Sequence, residues 1–535
     1  MITVSDAWKA AHTKTLLPET FIEITYSATD PNLSKSATVD GELIASFADV
    51  TDVVADGDKT GEKYATLEQG LWGLDGTYGY RPASENIDGY ISSVLSGEDC
   101  RFTEIPTVSI TFPTTQTALI PGVTITWSET YSEWATEFSV IAYRGGTQVA
   151  GKVISNNTSP TTILWLDMER YDEIRIFVYA WSLPYHRARV ADVVFGIQTV
   201  YQKTDLMGYE HTQSADLLSA ALPKNEITFK LRNDDGRWNP DNPTGSEQYL
   251  LERQEIRVRY GMVVDDAIEW IEGGTFWLSE WDTPSNGLEA SFTARDAVEF
   301  MRAEYTGPRS GTLYDIAVAA FEQADLALRD DGSVRYFVHN SLGNITTDFT
   351  ASTEAYTIAE ILQMVAHAGN CVFWQDRFGV VNIAPWSGAN LDYWITQDIS
   401  YTHPEYNLNK PLKAISVNYG DKQNVVVAVA DRGEIQTVDN IMVRTYDDAV
   451  RVANRAQEIL TNRKVITGDF RADIRLDALD PIIVTSKYAT NLIAVTDIKY
   501  ATTGGAFKGT YTGRVVSVNL KPEDRRSGEF YAGEV

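Results

Sequence analysis

A mainly β fold with α+β subdomains is what this 535-residue chain predicts, and three observations carry that expectation. Short runs in which apolar and polar residues alternate recur along the chain, the pattern of strands with one buried face. Gly, Pro, Asn and Asp bound those runs, as tight turns require. Apolar residues at helical spacing stand out only after residue 300, so helices are expected in the second part alone.

Taken in order, the strand signals are Phe21–Tyr26 (FIEITY), Thr107–Phe112, Val123–Trp127, Phe138–Tyr143, Ile174–Tyr179, Glu226–Leu231 and Ile256–Tyr260. Helical spacing marks Thr312–Ala327, Thr357–Gly369 and Tyr446–Lys464. In the second of these, Ile358, Ile361, Leu362 and Val365 share a face, Thr357 with Glu360 makes a capping box, and Gly369 follows as a stop. In the third, Val450, Ala453, Ala456, Ile459 and Leu460 line one side. The chain changes character around residues 190–225. The opening run Phe21–Tyr26 is followed by turn-rich sequence (ATDPNLSKSATVDGE), and long strands resume near Gly196–Tyr201. That first strand is therefore expected to belong with the later part, leaving the intervening β unit as an insertion.

Composition bounds the function. The length is about three typical domains, and 43% hydrophobic residues with 13 Trp, 27 Tyr and 19 Phe supply real cores. Against 45 Lys and Arg stand 74 Asp and Glu, a formal charge of −29, which disfavours nucleic acid and anionic lipid as partners. Residues 1–150 carry −13, residues 151–200 are neutral and the remainder carries −16. Cys100 and Cys371 are the only cysteines, too few and too distant for a disulfide framework or a thiolate zinc site. The purest apolar run, Val425–Ala430, is far shorter than a membrane span, and the first residues lack the apolar stretch of a signal peptide. The expectation is a protein that folds in a reducing cytoplasm.

Catalytic patterns are missing: the sequence has no GxSxG elbow, HExxH, P-loop or GxGxxG following a strand. His12, His186, His211, His339, His367 and His403 are scattered singly, and the plentiful carboxylates single out no acid/base pair. The sequence thus predicts no enzyme, no cofactor and no metal site. Asp56–Glu62 (DGDKTGE) has oxygen ligands on alternate residues but not the spacing of a calcium loop, and reads as a solvated loop. Asn233–Pro240 (NDDGRWNP) reads as a long turn whose Trp238 tucks back onto a sheet. The candidate carbohydrate-binding residues are Trp72, Tyr78, Tyr80 and Tyr90, in the Gly-rich stretch GLWGLDGTYGYRPASENIDGY. Rings can stack on sugar faces, or they can plug the end of a sandwich.

Two resemblances sharpen this. Tyr64–Gly76 (YATLEQGLWGLDG) and Trp181–Gly196 (WSLPYHRARVADVVFG) are similar to the opening and closing segments of discoidin-like, galactose-binding-like jelly rolls. Such domains often bind glycans or lipid head groups, and many are purely structural. Leu222–Pro240, Arg253–Gly261, Gly274–Trp281, Ala290–Asp296, Ile358–Asn382 with its turn Asp376–Gly379, and Gly505–Arg514 resemble, in order and spacing, the N-terminal portion of tail-associated baseplate hub proteins of long-tailed bacteriophages. Many such proteins bear a C-terminal fibre or peptidoglycan-hydrolase region, and with the sequence ending at Val535 the expectation is that it is missing here.

The resemblances imply residues 1–45 as an opening segment of a discontinuous hub, 46–196 as a discoidin-like β-sandwich insertion, 197–305 as a hub β-barrel, 306–400 as an α+β subdomain, and 401–535 as a second barrel with a helix and closing hairpin. They imply a structural virion protein, a homotrimer assembled in the host cytoplasm into the tail tip or baseplate. Its neighbours would be the distal tail protein, tail tube and tape-measure proteins, with phage DNA only as transiting cargo. Two other readings stay open: a tail protein that recognises host surface polysaccharide, and a peptidoglycan-degrading tail enzyme.

Overall fold

The computed structural model describes residues 2–519 apart from 13, 15–18, 30, 55–64, 67, 72–88, 117–119, 129–130, 203, 240, 243–253, 265–266, 283–286, 325–334, 388–392, 397, 421–422, 486–488 and 503–506. The fold is mainly β with α+β regions. Six of the seven strand signals fall inside an observed strand, and the seventh, Val123–Trp127, overruns the strand Ile120–Thr126 by one residue. The calcium-like loop Asp56–Glu62 lies outside the described residues.

The opening strand Thr20–Thr29 lies between two later ones. It pairs antiparallel with Glu255–Val264 along one edge (Ile24 opposite Val258) and with Asp192–Tyr201 along the other (Ile24 opposite Tyr201). From Glu255–Val264 the sheet continues through Ala267–Asp282, Glu289–Arg295, Lys224–Arg232 and Leu206–Ser214. It then passes to Thr490–Thr502, Lys508–Asn519, Lys464–Arg471 and Glu405–Leu408. Ile24, Tyr260, Phe276, Phe292, Ile466 and Tyr500 are buried in one core beneath it, together with Trp8. Trp238 does tuck back: it meets Phe292 edge-on at 5.0 Å and Tyr26 at 6.2 Å between ring centres.

Residues between the first strand and Gly196 build a second body. Thr38–Glu42, Thr107–Gln116, Tyr171–Trp181, Ala135–Arg144 and Thr147–Ser155 form a five-stranded sheet. Ile120–Thr126, paired with Thr161–Met168 and with Asp192–Phe195, forms the other layer. Val108, Trp127, Phe138, Ile176, Trp181 and Phe195 fill the space between them. The strand Asp192–Tyr201 therefore serves both bodies. Residues 192–195 pair with Ile120–Thr126, and from Gly196 onward the partner is Thr20–Thr29. Gly196 has φ +125°, a backbone state that L side chains avoid, and its carbonyl accepts the Thr124 hydroxyl at 3.2 Å.

The α+β region contains the helices Leu313–Gln323, Ile358–Ala368 and Tyr446–Leu460. The capping box at Thr357 and Glu360 is formed, and Ile358, Ile361, Leu362 and Val365 are buried. A hairpin, Val372–Gln375 with Val381–Ala384, follows and turns at Gly379 (φ +74°). These helices share a core with the three-stranded sheet centred on Leu412–Tyr419. Two expectations need correction. Helices also occur early, at Asp6–His12 and Pro31–Ser36; they are too short to show a period, and the first is anchored by Trp8 and Ala11. In Tyr446–Leu460 the buried stripe is Ala449, Val452, Ala453 and Ala456, whereas Val450, Ile459 and Leu460 are half-buried. Small side chains let that helix lie close against the sheet.

Candidate functional site

Of the four candidate ligand-stacking residues, Trp72, Tyr78 and Tyr80 lie outside the described residues. Tyr90 opens the strand Tyr90–Leu95 and is fully buried. Its hydroxyl donates to the Glu42 carbonyl at 2.7 Å, and Gly41 lies so close that a Cβ there would come within 3.1 Å of the ring. Tyr90 is a core residue of the sandwich and offers no open ring face to a sugar, because the polar end of a buried tyrosine is satisfied inside.

Just before Trp72 in sequence, Thr66, Glu68 and Gln69 take part in a buried charged network. Glu68 accepts Arg189 Nη1 at 2.8 Å and Nη2 at 2.5 Å, the Arg187 backbone N–H at 2.7 Å and the Thr66 hydroxyl at 2.6 Å. Burial alone would raise the Glu68 carboxyl, but the Arg189 guanidinium and these donors hold it below the usual carboxylate range. Beside it, Glu133 accepts the Trp181 indole N–H at 2.7 Å and contacts His186 Nδ1 at 2.9 Å. His186 Nε2 lies 2.6 Å from the Gln69 carbonyl. Burial opposes a charge on His186, while Glu133 overrides it and raises the imidazole. Arg189 also stands 4.4 Å over the Tyr131 ring. The network joins the segment before Trp72 to the end of the sandwich.

A second polar network lies under the large sheet. His211 is fully buried, with Nδ1 2.8 Å from the Tyr260 hydroxyl and Nε2 2.8 Å from Asn225 Oδ1. Burial pushes its imidazole down to about 4, so it is neutral at pH 7. Arg377, in the hairpin turn after Gln375, donates to both carboxylate oxygens of Asp477 (2.8 and 2.9 Å) and to the carbonyls of Glu272 and Leu476 (both 2.9 Å). Gln213 bonds Asp477 Oδ1 and the Ala478 N–H. One arginine thus ties three separate segments together.

Beside that joint lies a cavity of about 460 Å³ whose walls include Gln213, Lys224, Asp296, Trp374, Trp386 and Asp480. Asp296 follows the strand Glu289–Arg295 and is buried, and burial raises its carboxyl to about 7. Sequence reading missed this site: its residues are neighbours only through folding, and no local motif marks them. Among the described residues no group of three or more His, Cys, Asp or Glu side chains is arranged to hold a metal ion. No helix among them is long and apolar enough to cross a membrane, and Cys100 and Cys371 are free thiols.

No protein-family profile matches the chain, and no curated protein matches it. Among solved structures it is similar to the 43 kDa tail protein of prophage MuSo2 from Shewanella oneidensis, at 12% identity and a TM-score of 0.40, over 59% of this chain and 94% of that one. A tail protein from Neisseria meningitidis MC58 is similar at 9% identity and a TM-score of 0.41, over 60% of this chain and 93% of that one. Prophage tail protein gp18 from Listeria monocytogenes EGD-e is similar at 11% identity and a TM-score of 0.37, over 59% and 91% of the two chains.

Proposed function

We propose that this chain is a structural component of a phage tail or tail-like particle, a homotrimeric hub at the tail tip that closes or extends the tail tube. In this reading the strands around Thr20–Thr29 and those around Thr490–Thr502 form two adjoining barrels. The sandwich is an inserted jelly roll that projects from the hub toward neighbours or the host surface. The distal tail protein, tail tube and tape-measure proteins are its partners.

The observation that carries the reading is the place of Thr20–Thr29 between Asp192–Tyr201 and Glu255–Val264. It makes residues 20–29 part of the same sheet as strands from five of the six segments that resemble tail hubs, all but Ile358–Asn382, with the sandwich held on one shared strand. The sheet also ends in an edge suited to self-association. Among the described residues Glu405–Leu408 pairs on one side only, with Lys464–Arg471, and all four of its residues are exposed. Leu408 is 63% exposed and nearby Tyr401 56%, and such an edge is a template for another strand. Light scattering on the purified protein tests the trimer: three times the 59.5 kDa chain mass supports it, and a stable monomer at micromolar concentration rejects it.

The aromatic residues after Gln69 favour a second reading. In sequence, Trp72, Tyr78 and Tyr80 fall between Glu68–Gln69, which bond Arg187, Arg189 and His186, and the buried Tyr90, and their rings are of the kind that stacks on host surface polysaccharide. A glycan array probed with the full chain and with a Trp72→Ala, Tyr78→Ala, Tyr80→Ala variant tests it. Envelope-glycan binding lost in the variant supports recognition, and no binding by the parent rejects it.

A further inference from the structure

We propose that the free edge of Thr147–Ser155 in the sandwich is a docking site for an extended, acidic segment of a neighbouring protein, which adds to the five-stranded sheet as a sixth strand. This is a property of the sandwich alone and does not rest on the tail reading.

The two ends of that sheet are built differently. Thr38–Glu42 closes one side and Thr147–Ser155 the other, and among the described residues each pairs with a single strand of the sheet. Thr38–Glu42 is five residues long and carries Asp40 and Glu42, both exposed, the short and charged form that deters another chain. Thr147–Ser155 (TQVAGKVIS) is nine residues long, with no Pro, one charge and seven residues exposed. Its single charge is drawn aside, since Lys152 Nζ donates to the Trp165 carbonyl at 3.1 Å. An edge left so open is a template for a further strand.

Apolar side chains line the same side of the sandwich. Ala150 and Ile154 pack against the core, whereas Val149 and Val153 are exposed, Val153 by 62%. The strand Thr161–Met168, which ends the other layer and lies against Thr147–Ser155, exposes Ile163 and 44% of Trp165. Strand addition uses both parts: ladder bonds supply affinity, and side-chain contacts supply specificity.

Charge selects the occupant. Although 74 of the 535 residues are Asp or Glu, none lies between Arg144 and Leu166, where the only charged residues are Arg144 and Lys152, both exposed. Nearby carboxylates are engaged: Asp172 accepts the Gly145 N–H at 2.9 Å, and Glu137 and Glu173 pair with Arg101 and Arg175. A second copy of this edge would set like charges against each other, which disfavours pairing, whereas an acidic strand complements them.

The test titrates the full chain into a fluorescein-labelled peptide in which Glu alternates with Val and Thr (EVTVEVTVE). Two controls carry Lys for every Glu, or N-methyl groups on alternate residues that block a ladder. Anisotropy should show saturable binding of the acidic peptide, about tenfold or more tighter than either control, and hydrogen exchange should slow at residues 147–155. Val153→Glu, checked for folding by near-ultraviolet circular dichroism, should weaken binding about tenfold. If that variant does not fold, Lys152→Glu decides, with severalfold weaker binding expected. The proposal is overturned by no saturable binding to the parent, by equal binding of either control, by protection only outside residues 147–155, or by unchanged affinity in the folded variant used to decide. A smaller oligomer of Val153→Glu in sedimentation velocity would assign the edge to a second copy and also overturn it.

Discussion

Glu68 and Arg189 form a two-pronged ion pair across 121 residues of chain, with both side chains fully removed from solvent. The pair closes the sandwich by fastening the segment before Trp72 to the short strand Arg187–Val190. A buried charge is tolerable only with its partner, so the two residues stand or fall together.

Replacing Glu68 by Gln is therefore expected to destabilise the sandwich by about 3 kcal/mol. Glu133, 4.0 Å from Arg189, is too far away to replace the lost pair fully. The double variant Glu68→Leu, Arg189→Met should lose less than Glu68→Gln alone, since no charge remains to be stranded. Urea unfolding of both variants measures this, and a double variant as unstable as Glu68→Gln or more so would contradict it.

His186 gives the sandwich a pH signature. Its folded-state pKa is raised by Glu133, so the charged form is favoured by folding. That contribution is fully present below the unfolded value of about 6.5 and is lost as pH rises through the folded value. Unfolding midpoints recorded from pH 5.5 to 9 should fall on the alkaline side in the parent, and the fall should be shallower in His186→Gln. Parallel profiles would contradict the assignment.

Thr29 stands opposite Gly196 in register, a separation of about 5 Å between Cα atoms. A two-residue Asn-Gly turn joining Thr29 directly to Gly196 should therefore replace the whole intervening body. The shortened chain is expected to unfold cooperatively with the core around Tyr260 and Phe292 intact, as read by tryptophan fluorescence. An aggregated or molten product would show that the two bodies depend on each other.

Much of this organisation was legible in the sequence because strands with one buried face alternate strictly. Phe229 and Leu231, for example, point into the core while Thr228 and Lys230 are less buried. The Thr357–Glu360 capping box and the inward turn of Trp238 were visible for equally local reasons. Asp6–His12 was not, since seven residues with two apolar anchors show no period. Nor was the cavity, whose parts Gln213 and Asp477 are 264 residues apart. Tyr90 misled because an aromatic in a Gly-rich stretch looks the same from sequence whether its ring faces solvent or core.

The exposed edge at Glu405–Leu408 makes a further prediction about assembly. Leu408→Asp places a charge on a strand that pairs on one side only, a change that blocks edge-to-edge addition. The variant should fold normally and run as a smaller species in sedimentation velocity. A mass equal to the parent's would exclude this edge from the interface.

The most direct test of the structural reading is a cryo-electron-microscopy map of tail particles from cells that carry this gene. Three copies are expected around the tail axis at the end away from the capsid, each with the sandwich directed outward from the ring. Particles that lack the chain, or that carry it away from the tail tip, would contradict it.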